Sequence, residues 1–327
     1  MTDEAPLISG MRQAVQADLR GLVDHLITDP QLYEMVEHHF GWANGAPAGK
    51  GVRPLLCLLC CAGAGGQWER ALPAATAIEL IHNFSLIHDD IQDGSELRRH
   101  RPTVWKVWGE ALAINAGDAL FACARLSTQR LDLDPPGVLT VHRNLDEACL
   151  ELTIGQQLDL AFDTRSDGSI QRYLRMIEAK TAALLAASAG AGALVAGARG
   201  QRLQAFQSFG RQLGMAFQIQ DDILGVWGVP NQTGKAVGQD LLVRKPSFPA
   251  LHALGNSRRF LSLWNDSDSD LGALLGALEA AGSREAATQA VGEHTARSLS
   301  SFAQAEPAEP AATALRGLAD GLLERQS

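Results

Sequence analysis

Helical periodicity constrains the fold of this chain more than any other feature. Between Ala71 and His88, positions recur at spacings of three and four residues, which places them on one face of a helix. These positions are Ile78, Ile81, Ser85 and His88. Long helices are also expected over Ile8–Phe40, Gln171–Gly197 and Arg202–Leu224. Because alternating patterns bounded by hairpin signals are absent, we expect an all-α fold of about ten or more helices, in a single domain over residues 1–327.

Charge and composition exclude several classes of protein. Apolar residues make up 46% and charged residues 20%, as in an ordinary globular chain. The net charge of −9 argues against a general nucleic-acid binder, which needs a basic face. The acidic start of the chain and the absence of about eighteen consecutive apolar residues predict neither a secretory signal nor an integral membrane segment.

The five cysteines do not form a recognisable framework. Cys57, Cys60 and Cys61 lie in the apolar run Leu55–Ala62, and no second Cys or His pair that could complete a metal site is nearby. The pattern therefore predicts core packing, and with it a reducing cytoplasm.

The first candidate site is acidic and lies at the end of an apolar helix. Asp89 and Asp93 are four residues apart, so they share one helical face, where two carboxylates repel each other. A bound cation would relieve this repulsion, and hard oxygen ligands favour Mg²⁺. Taken alone, a solvated acidic helix end explains the motif equally well.

A second acidic pair, Asp221-Asp222, closes another apolar helix, and Gln218 precedes it by one turn on the same face. Two helix ends of this kind in one chain predict carboxylates that meet across a deep central cavity. Metal would bind at the mouth of this cavity, and an apolar pocket would lie below it.

Cations occur in short clusters, which alone usually form solvated surface. Guanidinium and ammonium groups are also the usual partners of phosphate. The sequence therefore combines two acidic motifs with phosphate-type cations and an apolar helix pocket. The clusters are Lys50 with Arg53, then Arg98, Arg99 and Arg101, and finally Lys235 with Lys245.

At these residues the sequence resembles the trans-isoprenyl diphosphate synthase (polyprenyl synthetase) family, especially bacterial geranylgeranyl diphosphate synthases. The resemblance covers about residues 49–246, and residues 255–327 are divergent. The matching segments follow the family order: Gly49–Pro54, Glu79 and His82, Ser85–Asp93, Arg98-Arg99, Pro102-Thr103, Ala116–Asp118, Gly155-Gln156, Lys180-Thr181, Phe217–Asp222, Gly234-Lys235, and Asp240 with Lys245.

The resemblance implies a magnesium-dependent prenyltransferase of the isoprenoid synthase fold. Such an enzyme joins isopentenyl diphosphate head to tail to an allylic diphosphate and forms a linear all-trans product, here geranylgeranyl (C20) or farnesyl (C15) diphosphate. It also implies a homodimer.

The resemblance further implies a role for each matching residue. Asp89 and Asp93 would hold two Mg²⁺ ions, and Asp221 would hold a third ion. Asp90 and Asp222 would support these ligands. The residues for the allylic diphosphate would be Arg98, Lys180, Lys235 and Lys245. The residues for isopentenyl diphosphate would be Lys50, Arg53, His82 and Arg99. Thr181 and Gln218 would direct oxygen dipoles toward the carbocation.

Two positions depart from the family pattern, and three concern product length. Gly225 stands where many relatives have a third Asp of the second motif, and His100 follows the paired arginines where glycine is usual. The resemblance assigns chain length to Phe84, five residues before Asp89, together with Ser85 and Ile81. Phe84 as a plain core residue is the alternative.

Two other functions fit parts of the sequence. A class I terpene cyclase needs an Asn/Ser/Glu metal motif, and the nearest segment, Asn265–Ser269, has Ala273 where Glu should fall. This segment is better interpreted as a polar loop with helix caps. A regulatory subunit of a heteromeric synthase would have lost the aspartates, which are present here.

Overall fold

Helices form nearly all regular structure in the part of the chain that the computed structural model describes, residues 4–43, 49, 51–162, 169–228 and 238–323. The first helices are α1 (Glu4–Leu26), α2 (Pro30–Phe40), α3 (Val52–Gly63), α4 (Leu72–Gln92), α5 (Val104–Trp108) and α6 (Glu110–Thr128). A 3₁₀ turn, Trp68–Ala71, precedes α4. Two short strands, β1 (Leu97–Arg98) and β2 (Arg101–Pro102), pair antiparallel between α4 and α5.

The second half of the chain continues the helical pattern. Its elements are α7 (Pro135–Leu160), α8 (Ile170–Ile177), a π-helical turn (Glu178–Ala182), α9 (Ala183–Val195), α10 (Gly200–Trp227), α11 (Gln239–Leu242), α12 (Phe248–Asn256), α13 (Arg258–Asn265), α14 (Leu271–Ala280), α15 (Ser283–Ala305) and α16 (Ala311–Leu323). The predicted all-α fold is confirmed. Among the described residues, no helix combines the length and the apolar character needed to cross a bilayer.

Two of the expected long helices are interrupted. The helix predicted over Ile8–Phe40 is two helices, because Pro30 lacks an amide hydrogen and begins α2 at its first turn. Asp29 caps this new start by accepting a hydrogen bond from the Leu32 amide at 2.8 Å. The helix predicted over Gln171–Gly197 contains the π-helical turn. The β1–β2 hairpin was not predicted, because strands of two residues are too short to carry an alternating pattern.

The chain divides into two compact units. Unit 1 comprises Met1–Asp146, Ser188–Leu203 and Glu306–Leu315, and unit 2 comprises Glu147–Ala187, Gln204–Ala305 and Arg316–Ser327. The predicted single domain and its deep central cavity therefore stay predictions.

Helix α3 forms the core of unit 1, where α4 packs against both α3 and α6. Cys57, Cys60 and Cys61 are completely buried in α3, which confirms the prediction of core packing. Burial raises the pKa of the Cys57 and Cys60 thiols well above the ordinary value, so both stay protonated.

Unit 2 has its core where α8, α10 and α12 supply large apolar side chains. Tyr173, Met215 and Phe248 belong to one buried cluster, and Phe260 and Trp264 belong to a second. Burial of one such side chain stabilises the fold by about 1.5–3 kcal/mol. Both clusters lie beside the segments that carry the acidic residues of this unit.

Candidate active site

The first aspartate motif lies at the carboxyl end of α4. Asp93 is the C-cap residue, and its backbone N–H donates to the carbonyl of Asp89 at 2.8 Å. Asp93 is exposed and Asp89 is partly exposed. The carboxyl end of a helix carries partial negative charge, which adds to that of the two carboxylates and favours a cation.

Asp90 has a different environment from its neighbours. Its side chain is only 3% exposed, and both of its oxygens accept hydrogen bonds from the Arg98 guanidinium. Arg98 Nε donates to Oδ1 at 3.0 Å and to Oδ2 at 2.9 Å, and Nη2 donates to Oδ1 at 2.8 Å. A bidentate contact of this kind fixes the plane of the guanidinium. Asp90 therefore anchors Arg98 next to the turn that carries Asp89.

The β1–β2 hairpin carries the paired arginines. Arg99 and His100 are its two loop residues, and both have positive φ, 52° and 63°. Positive φ at both central residues is the type I′ arrangement that suits a two-residue hairpin. Arg101 then donates to the carbonyls of His38 and His39 at 2.7 and 3.2 Å, at the negative end of α2. The hairpin is thereby attached to α2.

A second cationic group in unit 1 contains Arg53, His82 and Arg99. The Arg53 guanidinium lies 3.2 Å from His82 Nε2. Arginine only donates, so Nε2 accepts and the ring proton is on Nδ1. Burial lowers the pKa of His82 well below its ordinary value, and Arg53 and Arg99 lower it further, which keeps the ring neutral. Gly49 lies against Arg99, because a Cβ there would approach Arg99 Nη2 to 2.6 Å.

In unit 2, Lys180 lies in the π-helical turn and pairs with Asp159 on α7. Its Nζ donates to Asp159 Oδ2 at 2.6 Å. The two backbones approach closely at Gly155, where a Cβ would lie 2.6 Å from Lys180 Cα. Sequence reasoning missed Asp159. The available signal was its position one helical turn after Gly155, on the same face.

Thr181 and Gln218, which the resemblance assigns to one role, contact each other. The Thr181 hydroxyl donates to Gln218 Oε1 at 2.9 Å. Gly214 allows α10 to approach the π-helical turn, because a Cβ there would lie 2.7 Å from Ala182 Cα. A π-helical turn inside a longer helix is often found at a functional site.

The second aspartate motif repeats the arrangement of the first. Asp221 is partly exposed, whereas Asp222 is 1% exposed. Asp222 accepts a short hydrogen bond from the Tyr173 hydroxyl and another from the Phe248 amide at 2.9 Å. Lys245 Nζ lies 3.6 Å from its other oxygen. Burial raises the pKa of Asp222, although Lys245 opposes this shift.

Lys245 is held by a second carboxylate, Asp240, at 3.1 Å. Burial acts to lower the pKa of Lys245, but Asp222, Asp240 and Asp221 together raise it, so the ammonium stays charged. Gly225 leaves the space for this arrangement. A Cβ at Gly225 would lie 2.8 Å from Asp240 Cγ.

The residues assigned to chain length lie together on α4. The ring of Phe84 contacts Phe121 of α6 edge to face, with centroids 5.2 Å apart, and it also contacts His88 at 5.7 Å. The Ser85 hydroxyl donates to the carbonyl of His82 at 2.8 Å. Ile81 is a buried core residue. Phe84 is only partly buried.

The donor chemistry of both motifs fits Mg²⁺. Within the described residues, no group of three or more His, Cys, Asp or Glu side chains is already assembled to hold a metal ion. Carboxylates such as Asp89, Asp93 and Asp221 suit an ion that keeps several waters and shares substrate phosphate oxygens. Lys50 and Lys235 lie outside the described residues.

The segment weighed as a cyclase motif has a structural role. Asp270 caps α14 by accepting from the Ala273 amide at 2.9 Å, and Asp266 accepts from the Asp268 amide at 3.0 Å. These contacts confirm that the segment is a polar loop with helix caps.

Known proteins resemble this chain along nearly its whole length. The polyprenyl synthetase family model matches residues 30–271. A (2E,6E)-farnesyl diphosphate synthase of Mycobacterium tuberculosis is 38% identical over 98% of this chain and 93% of its own. A geranylgeranyl diphosphate synthase of the same species is 43% identical over 69% of this chain and 66% of its own. The crystal structure of a polyprenyl synthetase from Streptomyces coelicolor superimposes with a TM-score of 0.90 at 35% identity, covering 98% of this chain and 100% of that one.

The helical fold and the acidic and basic groups at its helix ends, together with these relatives, define an all-α prenyltransferase. The chain belongs to the polyprenyl synthetase family.

Proposed function

We propose that this enzyme condenses isopentenyl diphosphate head to tail with an allylic diphosphate and releases a linear all-trans prenyl diphosphate of C15 or C20 length. The observation that carries the proposal is the repeated construction of the two aspartate motifs. In each, the first aspartate is partly exposed and the second is buried beside a cation suited to phosphate, Arg98 in one and Lys245 in the other. The relatives named as farnesyl and geranylgeranyl diphosphate synthases support both product lengths.

The proposed metal is Mg²⁺, with three ions per site as the resemblance implies. Asp89, Asp93 and Asp221 would hold them. When bound, the ions neutralise negative charge on the diphosphate and so stabilise it as a leaving group. Asp90 and Asp222 support these ligands indirectly, because each is occupied with protein hydrogen bonds.

The cations divide between the two substrates. Arg98, Lys180 and Lys245 bind the allylic diphosphate, together with Lys235. Lys180 pairs with Asp159 and Lys245 with Asp240, so each ammonium is held in a fixed position by a carboxylate. Arg53, His82 and Arg99, with Lys50, bind isopentenyl diphosphate. In this group, His82 accepts from Arg53 and has only Nδ1–H to offer a phosphate oxygen.

In each chemical step, the protein then only positions the two substrates and provides polar groups that stabilise developing charge. Cleavage of the allylic C–O bond leaves its electron pair on diphosphate and forms an allylic cation. The hydrogen-bonded Thr181 and Gln218 place oxygen dipoles toward this cation. The alkene of isopentenyl diphosphate attacks the cation and forms the new C–C bond. The released diphosphate then accepts the proton whose loss restores a double bond. Water must be excluded, because it would quench the cation.

A homodimer is part of the proposal. Helix α7 exposes Leu139 and Leu150, with 64% and 63% of each side chain accessible, and Ile154 one turn later. Their separations of eleven and four residues place them on one face of α7, since eleven residues span about three turns. An exposed apolar stripe of this kind is typical of a surface that packs against another chain.

The proposed location is a reducing cytoplasm. The free thiol state of all five cysteines supports it.

Product analysis of the purified chain tests the proposal. Isopentenyl diphosphate is supplied with a C5, C10 or C15 allylic primer, with Mg²⁺ or with excess chelator, and the products are resolved by chromatography. Elongated diphosphates should form only when both substrates and the metal are present. Hydrocarbon released from geranylgeranyl diphosphate alone would indicate a cyclase, and activity that appears only after a partner chain is added would indicate a regulatory subunit. Light scattering should give twice the chain mass.

A further inference from the structure

Glu79 is a buried carboxylate next to the cations assigned to isopentenyl diphosphate, and it has no role in the chemistry described above. It lies on α4, one turn before Asn83, and is 8% exposed. His82, one turn after Glu79 on the same face of α4, lies 3.2 Å from the Arg53 guanidinium, so Glu79 is close to this cation. The negative charge of Glu79 acts to raise the pKa of both Arg53 and Arg99. An isolated carboxylate at such a depth is destabilising unless cations or hydrogen bonds compensate it.

A chain of buried hydrogen bonds orients this carboxylate. Asn83 Nδ2 donates to Glu79 Oε1 at 3.0 Å and to the Glu79 carbonyl at 2.8 Å. His39 Nε2 lies 3.0 Å from Asn83 Oδ1, which can only accept, so this nitrogen carries the ring proton. Burial lowers the pKa of His39 to about 3, so the ring stays neutral. The groups that hold Glu79 are therefore neutral and do not cancel its negative charge. This charge remains available to attract Arg53 and Arg99.

The cations themselves need such a counter-charge. Arg53 and His82 are partly buried and Arg99 is exposed, and the neutral ring of His82 supplies no negative charge to either guanidinium. Among the described residues, no salt bridge joins Glu79 to a cation within 4 Å, so its attraction acts over a longer distance. An incoming diphosphate could therefore bind both guanidinium groups without first displacing Glu79.

We propose that Glu79 is a positioning residue for isopentenyl diphosphate: aligned by Asn83 and His39, its carboxylate holds Arg53 and Arg99 beside each other while the diphosphate is absent. This inference rests on the proposed function, since it takes Arg53 and Arg99 to be ligands of isopentenyl diphosphate. Glu79 itself touches neither substrate.

Steady-state kinetics of Glu79→Gln test this role. The change keeps the size of the side chain and removes its charge. The KM for isopentenyl diphosphate should rise by at least about tenfold, while kcat and the KM for the allylic diphosphate stay within about twofold. Asn83→Ala, which releases the carboxylate without neutralising it, should raise the same KM by about threefold. A KM for isopentenyl diphosphate that is unchanged or lower in Glu79→Gln would overturn the proposal, as would an equal rise in both KM values.

Asp18→Asn is the matched control, because it also converts a partly buried acid of unit 1 to its amide. Asp18 accepts from Thr76 and Arg130, both at 2.6 Å, and has no contact with Arg53 or Arg99. All of its kinetic constants should stay at wild-type values. If Glu79→Gln does not fold, as judged by circular dichroism, Asn83→Ala decides the question. An unchanged or lower KM for isopentenyl diphosphate in Asn83→Ala would then overturn the proposal.

Calorimetric binding of inorganic pyrophosphate separates the two proposals. If the wild-type chain elongates no primer, the proposed function fails whatever Glu79 does. Pyrophosphate should still bind the wild type more tightly than Glu79→Gln if Glu79 positions the cations. Equal affinities in a wild type that does elongate its primer would contradict the role of Glu79 alone.

Discussion

Both side-chain oxygens of Asp90 accept hydrogen bonds from Arg98, at distances of 2.8 to 3.0 Å, so the second aspartate of the first motif is bound to protein rather than presented to solvent. Asp222 is buried in the same way in the second motif. The two aspartates of each pair therefore have different roles. One is accessible to a cation, and the other fixes a phosphate-binding group or the helix end itself.

Asp90→Asn should reduce kcat/KM for the allylic diphosphate by at least about tenfold, a loss of ~1.4 kcal/mol of transition-state stabilisation. The amide cannot accept the bidentate contact, so the Arg98 guanidinium loses its fixed plane. Glu96→Gln is the control, because Glu96 forms an exposed ion pair with Lys106 of α5. Its activity should stay near that of the wild type. Equal kinetics for Asp90→Asn and the wild type would show that Arg98 needs no anchor.

Asp89→Ala should lower kcat/KM by at least about a thousandfold, roughly 4 kcal/mol, because the change removes a proposed ligand of the metal that stabilises the leaving diphosphate. Initial rates across a range of Mg²⁺ concentrations measure the effect. Asp132→Ala, at an exposed position of the same unit, should leave the rate unchanged. A loss of less than about tenfold for Asp89→Ala would exclude Asp89 as a ligand in the reaction.

Phe84→Ala should lengthen the products by one or more C5 units. The change removes the ring that packs against Phe121 and His88, and it leaves space at the position assigned to the end of the growing chain. Chromatography of the dephosphorylated products measures their length. Phe84→Tyr keeps an aromatic ring of similar size and should keep the wild-type product. An unchanged distribution in Phe84→Ala would mean that Phe84 is only a packing residue.

Gly225→Ala should lower the free energy of unfolding by about 1–3 kcal/mol, because the added methyl group collides with the carboxylate of Asp240. Displacement of Asp240 also frees Lys245, so activity should fall as well. Gly276→Ala is a matched change inside α14, where nothing lies within 4 Å of the new Cβ. It should be neutral or stabilise by up to about 1 kcal/mol. Gly225→Asp adds a second carboxylate beside Asp240 and should be more harmful than alanine.

Stability should depend on pH through His39. Burial lowers the pKa of His39 to about 3, below its ordinary value of 6.5, so in acid the unfolded chain takes up a proton before the folded one does. The contribution of this residue is complete above about pH 6.5 and is lost as the pH falls toward 3, by up to about 1.4 kcal/mol per pH unit. The free energy of unfolding, measured with denaturant at pH 7 and at about pH 5.5, should therefore depend less on pH in His39→Gln than in the wild type.

Other buried groups also contribute to this pH dependence. His82 acts in the same direction as His39, because burial lowers its pKa too. Glu79 and Asp222 act in the opposite direction, because burial raises the pKa of both carboxyl groups. His39→Gln retains all three, so its difference from the wild type isolates His39. His100→Gln, at an exposed position, should follow the wild type, and parallel curves for all three proteins would contradict the prediction.

Much of the local structure was predictable because it depends on near neighbours in the chain. The spacing of apolar residues in α4 and α10 predicted helices that end in acidic residues. Helix α4 does end beside its aspartates, at Gln92, whereas α10 continues more than one turn beyond Asp222, to Trp227. The break at Pro30 was also encoded locally, since proline at the first turn begins a helix. It was overlooked because the apolar periodicity continues across it.

The partner of each charged side chain was not predictable in this way. Asp159 meets Lys180 across 21 residues of sequence, and Tyr173 meets Asp222 across 49. Periodicity describes which residues share a face of one helix, but it carries no information on which other helix packs there. The same limit applies to Gly225, whose close contact with Asp240 is invisible without coordinates.

The amino-acid sequence alone determined that this chain is helical, that two of its helices carry aspartates in their last two turns, and which cations accompany them, because composition and spacing act over one or two helical turns. Only the tertiary structure decided which aspartates are accessible to a metal ion and which are fixed by Arg98, Tyr173 and Lys245. Burial and hydrogen bonding separate otherwise identical carboxylates, and both are set by segments far away in the chain.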